Sequence, residues 1–261
     1  MEQRDRCFLA LLRDGLYGVC SQESRELAAN MDRVLQDQVL ELARLHNLFP
    51  LLAQQMLLLN PPGLPREAVR SITIQALARQ TVATQELLAL TQALERAAVP
   101  ALVVKGAVCR SLYPTPDLRP SSDEDILIRP EDLARAEEVF RQRGYSLQEE
   151  GDPGEAVRTW CAPGLRVELH RSLCGDLTVA GHEVESWFAG CFNRSMIWNV
   201  GEGTVRTLGL QDHLLYLLLH FYKHFLAGGV GIRQLCDICL FIRQRSGELD
   251  WPALWGTLTA M

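Results

Sequence analysis

Lysine is almost missing from this chain of 261 residues: Lys105 and Lys223 are the two, and the rest of its 26 basic side chains are arginine. A positive excess is missing as well. Against 32 acidic residues the formal net charge is -6, so the global basic field of a typical nucleic-acid binder is excluded, although clustered arginines leave room for a local groove. Long apolar runs are absent. The longest candidate, residues 214–219, falls far short of the roughly 20 residues that cross a bilayer, and histidines and Lys223 flank it. The first residues carry charges on both sides of a short apolar run and lack a small-residue cleavage site, so they do not read as a secretory leader. There is no repeat and no low-complexity tract. What is present is ordinary for a globular protein: 48% hydrophobic and 22% charged residues, enough for one large domain or two small ones. The eight cysteines are scattered among apolar neighbours and read as reduced thiols in a cytoplasm.

The pattern changes twice along the chain. Residues 1–99 read as a helical region, with apolar residues at spacings of three and four (Val34, Leu35, Val39, Leu42, Leu45), a break at Pro61-Pro62-Gly63, and a long helix over 66–98. At Pro100 the texture turns to α/β. Residues 101–104 form a short apolar run bounded by Pro100 and Lys105-Gly106, which reads as a buried strand. A short helix over 107–113 and a proline-rich loop follow, then a strand at 125–128 and a helix from Glu131 to the stop at Gly144. Residues 145–147 read as a third strand, 157–161 and 165–169 as a hairpin around Pro163-Gly164, and 195–200 and 204–208 as two more strands. Residues 209–261 return to helix. The expected architecture is α+β: a small mixed sheet over 100–208 flanked by helical segments at both ends. The chain stops at Met261 inside a helix that starts at Trp251-Pro252, as a truncated chain would.

Candidate chemistry sits on two of those strands. Strand residues alternate faces, so Asp123 and Asp125 share one face and Glu124 points to the other. Two acids on one face repel unless a cation lies between them, and a divalent ion with a taste for hard oxygen ligands is the usual remedy. Alone, the pattern is more often that of a turn residue, Asp123 after Ser121-Ser122, and a strand-capping Asp125. In Arg166-Val167-Glu168-Leu169-His170 the same alternation puts Glu168 and His170 together, opposite Val167 and Leu169. A polar face on an apolar strand is costly in a core and suggests a wet cleft.

The ordered set Val103-Val104-Lys105-Gly106-Ala107, Tyr113, Arg119, Asp123-Glu124-Asp125-Ile126-Leu127-Ile128, Leu133 and Gly144-Tyr145 resembles the uncharacterised nucleotidyltransferase family of bacteria, within the polymerase-β-like superfamily. Val167-Glu168-Leu169-His170 resembles that family's acid-apolar-His strand, and His220, His224, Arg233 and Asp237 its C-terminal helical signature. The resemblance covers residues 100–245. It implies a magnesium-dependent enzyme that moves a nucleoside monophosphate from an NTP, such as ATP, to an acceptor hydroxyl on a protein, an RNA or a small molecule, with release of pyrophosphate. Asp123, Asp125 and Glu168 would be the catalytic acids and would hold two Mg²⁺ ions. Lys105, Gly106, Ala107, Arg119 and His220 would bind the nucleotide. The wider superfamily has Gly-Ser after the first strand; here Gly106-Ala107 offers no hydroxyl, so Lys105 and backbone N–H groups at a helix start would meet the phosphates. The rival expectation is a non-catalytic nucleotide-binding or regulatory protein that keeps the fold.

Two further motifs have plain readings. His213, His220 and His224 share a helix without a third zinc ligand at a clear spacing. Cys236-Asp237-Ile238-Cys239 has neither a second cysteine pair nor a thioredoxin-like strand before it, and reads as helix thiols packed in a core.

Overall fold

The computed structural model describes residues 2–148, 157–175, 177–179 and 182–259. The chain forms two compact units, and both are discontinuous in sequence. The first takes residues 1–81, 110–120 and 231–240; the second takes 82–109, 121–230 and 241–261.

The first unit opens with four helices: α1 (Gln3–Tyr17), α2 (Gln22–Ala29), α3 (Arg33–Leu45) and α4 (Phe49–Leu59). The starts of α2 and α3 follow from side-chain caps. Ser21 accepts from the Ser24 N–H and Asp32 from the Leu35 N–H, each satisfying a donor that the first turn leaves free. α1 packs against α3 and α4, burying Phe8, Leu11, Val39 and Leu52 completely or almost so. Asp14 is buried in α1, and its carboxylate accepts the Ser21 N–H at 2.6 Å. Burial alone would raise its pKa, but the Ser21 N–H, the Ser24 and Ser21 hydroxyls and Arg13 hold it below the usual value.

Helix α5 (Arg66–Arg96) runs 31 residues, and the α/β part follows it. Its strands are β1 (Ala101–Val104), β2 (Glu124–Ile128), β3 (Ser146–Leu147), β4 (Val157–Ala162), β5 (Leu165–His170), β6 (Thr178–Val179), β7 (His182–Glu183), β8 (Met196–Val200) and β9 (Gly203–Thr207). The intervening helices are α6 (Gly106–Arg110), shorter than its sequence pattern suggests, and α7 (Leu133–Gln142); α8 (Leu210–Leu226), α9 (Ile232–Arg245) and α10 (Trp251–Thr259) close the chain. Five strands form one mixed sheet in the order β1-β2-β5-β4-β3. β2 and β5 are parallel and the other pairs antiparallel. The β4–β5 hairpin turns at Gly164, whose φ of +94° suits glycine alone.

The sheet buries Leu102, Val104, Ile126, Ile128, Val167 and Leu169 completely. Phe140 of α7 packs its ring against Trp160 and Tyr145, both at 5.2 Å between centroids. The β8–β9 hairpin docks beside β1, where the Thr207 hydroxyl donates to the Val103 carbonyl at 2.6 Å. This is the expected α+β arrangement, with the sheet carrying the acids in its middle strands. No helix among the described residues is long and apolar enough to cross a membrane.

Candidate active site

Strand register assembles the site. The antiparallel β1–β2 pairing puts Val104 opposite Asp125, so Lys105, the next residue, ends beside that acid. The parallel β2–β5 pairing sets Asp125 against Glu168, and alternation along β5 adds His170 to the same face. Lys105 sits in the left-handed region with φ +58°, an uncommon place for a residue with a side chain. That turn carries its ammonium back over the sheet. Lys105 Nζ lies 2.9 Å from Asp125 Oδ1 and 2.9 Å from His220 Nε2 on α8. His170 Nε2 donates to the same Asp125 oxygen at 3.0 Å and lies 3.6 Å from Glu168 Oε2.

The electrostatics follow from those contacts. Burial works against the charge on Asp125, but Lys105 and His170 outweigh it and hold the carboxyl far below its usual range. Burial likewise opposes charge on Lys105, and Tyr216 and Asp125 more than offset it. Glu168 is lowered, chiefly by the adjacent His170. His170 is raised, because Asp125 and Glu168 overcome its burial. The repulsion expected between the two aspartates appears at Asp123, whose pKa rises through burial and the nearby Asp125 and Glu168 charges. His220 goes the other way: burial, Lys105 and His224 push it down to about 2, so the ring is neutral and its Nε2 accepts from Lys105.

Among the described residues, Asp125, Glu168 and His170 bring possible metal-ligand atoms within 4.8 Å of one another. Asp123 is not in that set; it precedes β2, half-buried, with its backbone carbonyl accepting the Ser121 hydroxyl. Two carboxylates so close, one of them buried, are the hard oxygen donors that Mg²⁺ takes. His170 donates to one of those acids and lies beside the other, and so fixes their orientation.

The loop after β1 has an occupant that sequence reasoning missed. Glu124, buried on the other face of β2, accepts the Ala107 N–H at 2.7 Å through Oε2. Gly106 has φ +29° and lies directly over that carboxylate. Arg119 belongs to the first unit, where Nε donates to Asp237 Oδ1 at 2.9 Å and Nη2 donates to Oδ2. Tyr113 donates to Asp237 Oδ1 as well, at 2.8 Å. The structure therefore brings Lys105, Asp125, Glu168 and His220 together, with Asp123 electrostatically coupled to them, and engages Arg119 elsewhere.

A cavity of about 240 Å³ opens beside the acids. Lys105, Glu168, His170, Tyr216 and His220 line it, and so do Lys223, which carried no expectation, and His224, expected only as part of the C-terminal helical signature. The signal for them was present: Lys223 is one of the two lysines, and His224 stands one helical turn from His220. The two imidazoles meet at 3.1 Å between Nε2 atoms and gain no third metal ligand among the described residues. Cys174, also on the wall, is held in its thiol form, its pKa pushed up to about 12 by burial and Glu185. Of the Cys-x-x-Cys pair, Cys236 is buried as expected, whereas Cys239 is exposed.

An acid pair on adjacent strands, a lysine at the strand-to-helix turn and a cavity lined in part by α8 make up the candidate site. The chain belongs to the uncharacterised nucleotidyltransferase family, whose model matches residues 32–261. No curated protein matches it. Among solved structures it is similar to the solution structure of the antibiotic-resistance factor ANT(2'')-Ia, at 12% identity over 69% of this chain and 93% of that one, with a TM-score of 0.49. A crystal structure of ANT(2'')-Ia with adenylyl-2''-tobramycin is similar at 12% identity over 68% and 97%, with a TM-score of 0.44. An antigenic nucleotidyltransferase-like protein from Paracoccidioides brasiliensis is similar at 15% identity over 64% and 76%, with a TM-score of 0.41.

Proposed function

We propose that this protein transfers a nucleoside monophosphate from an NTP to an acceptor hydroxyl, with pyrophosphate as the leaving group. The observation that carries the reading is the register of β2 and β5, which sets Asp125 beside Glu168, itself lining a cavity together with Lys105 and His220. Asp123, Asp125 and Glu168 would hold divalent metal, two Mg²⁺ ions on the family pattern, which when bound supplies charge stabilisation to the attacking and leaving oxygens. His170 orients Asp125 and Glu168 through its shared Nε2. Lys105 offers its ammonium to the phosphates, and neutral His220 keeps that ammonium aimed by accepting from it. Gly106 lets the chain approach closely. Ala107 holds the loop shut on Glu124, which leaves less backbone donation for the triphosphate than the sequence suggested. The contribution of Arg119 to the nucleotide is the weakest of the set, because its guanidinium is buried against Asp237. Eight free cysteines suit a reducing cytoplasm.

The alternative, nucleotide binding without turnover, is favoured by the same bond between Ala107 and Glu124. Labelled NTPs with Mg²⁺ and a cell extract decide between them. Label on an acceptor, lost in Asp125→Asn, supports transfer; a shift in melting temperature with NTP and no labelled product supports the alternative. The same labelled product, once isolated, names the acceptor class.

A further inference from the structure

The site carries its own cation. Asp125 is 2% exposed, and its Oδ1 already receives Lys105 Nζ at 2.9 Å and His170 Nε2 at 3.0 Å. A divalent ion coordinating that oxygen would lie about 2.1 Å from it, close against an ammonium of the same sign. Lys105 therefore competes with metal for Asp125. It also has somewhere else to go. Its second contact, His220 Nε2, is neutral and lies on α8, at the wall that Lys223 and His224 extend. An ammonium held by His220 can leave Asp125 and turn to an anion in the cavity without losing its other partner. The backbone is consistent with an enforced position, since Lys105 is held at φ +58°, where a side chain is disfavoured.

We propose that Lys105 is a resident counter-ion of Asp125 and that nucleotide phosphates draw it off, so that metal binds weakly to the free protein and tightly only together with nucleotide. The inference rests on the nucleotidyltransferase reading of the site and adds to it an order: the acids are not loaded in advance. By linkage, metal raises nucleotide affinity by the same factor as nucleotide raises metal affinity. Lys105 is here a positioning residue for the metal as well as a phosphate contact.

The test is Mn²⁺ binding to the full chain by titration calorimetry, alone and with α,β-methylene analogues of ATP, GTP, CTP and UTP added one at a time. For the wild type, the best analogue should tighten Mn²⁺ binding at least tenfold. Lys105→Met should bind Mn²⁺ at least tenfold more tightly than wild type in the absence of nucleotide, and most of the analogue's enhancement should disappear. Equal or weaker Mn²⁺ binding by Lys105→Met overturns the proposal. Asp125→Asn separates the two layers: it should bind Mn²⁺ poorly in every state, and if it binds like wild type the metal reading of the site falls and takes this inference with it. Should Lys105→Met fail to fold, the wild type answers by NMR of its two lysine ¹⁵Nζ groups. The Lys105 signal should stay put with Mg²⁺ alone and move when Mg²⁺ and the analogue are added together; a signal that never moves overturns the proposal.

Discussion

Gly106 and Glu124 are fitted to each other: a Cβ built on residue 106 would lie 2.0 Å from Glu124 Oε2, the atom that holds the Ala107 N–H. Neither can give way cheaply, since Glu124 is buried and residue 106 has positive φ. Gly106→Ala is expected to cost about 2–4 kcal/mol through strain and loss of the loop's hydrogen bond. Urea denaturation measures it. A cost under about 0.5 kcal/mol would mean that the loop is not held this way.

Asp125→Asn is expected to abolish transfer and also to weaken the fold in metal-free buffer. Alternation alone suggests the opposite sign for stability, because removing one of two neighbouring acids relieves repulsion. The contacts reverse that: Asn would leave the half-buried Lys105 ammonium without its carboxylate. Breaking one side of a buried pair costs about 3–5 kcal/mol. Thermal melting with a chelator present reads the change, and an Asp125→Asn protein melting above wild type would refute the Lys105 pairing.

Asp14 should dominate the acid limb of the first unit. Its folded pKa is depressed, so its stabilisation is complete above about pH 4, the usual carboxylate value, and is lost as pH falls through the lower folded one. Asp14→Asn should cost about 1–3 kcal/mol at pH 7 and flatten the fall in stability toward pH 2. Denaturation midpoints of both proteins across that range decide it; parallel curves would count against the assignment.

Arg119→Ala is expected to destabilise by about 3–5 kcal/mol, as a buried pair broken on one side, and Arg119→Met with Asp237→Leu to recover most of that. If Arg119 instead serves the nucleotide, the single variant keeps its melting temperature and loses NTP affinity. Measuring both quantities on the same preparations distinguishes the roles.

Much of this molecule is legible in its sequence, for local reasons. The strands at 101–104 and 125–128 and the hairpin around Gly164 follow from short apolar runs bounded by turn residues, and the sharing of a face by Glu168 and His170 follows from alternation. What alternation cannot give is which strand lies next to which, and in what register. The approach of Lys105 to Asp125 depends on an antiparallel neighbour, and that of Glu168 on a parallel one 43 residues on. Glu124 illustrates the same limit: pattern put it on the far face, correctly, but could not show that Ala107 waits there. Arg119 reads as a phosphate ligand until Asp237 arrives from a helix far along the chain.

That last distance matters during synthesis. Arg119 and Asp237 are 118 residues apart, and Tyr113 depends on the same carboxylate. At roughly 5–20 residues per second, a ribosome needs about ten seconds to deliver Asp237 after Arg119 has been made. Until then a guanidinium destined for the interior lacks the Asp237 carboxylate, and burying it without that carboxylate would be unfavourable. The nascent chain therefore completes its first unit late: the four amino-terminal helices can gather early, but their unit closes only when residues 231–240 have left the exit tunnel.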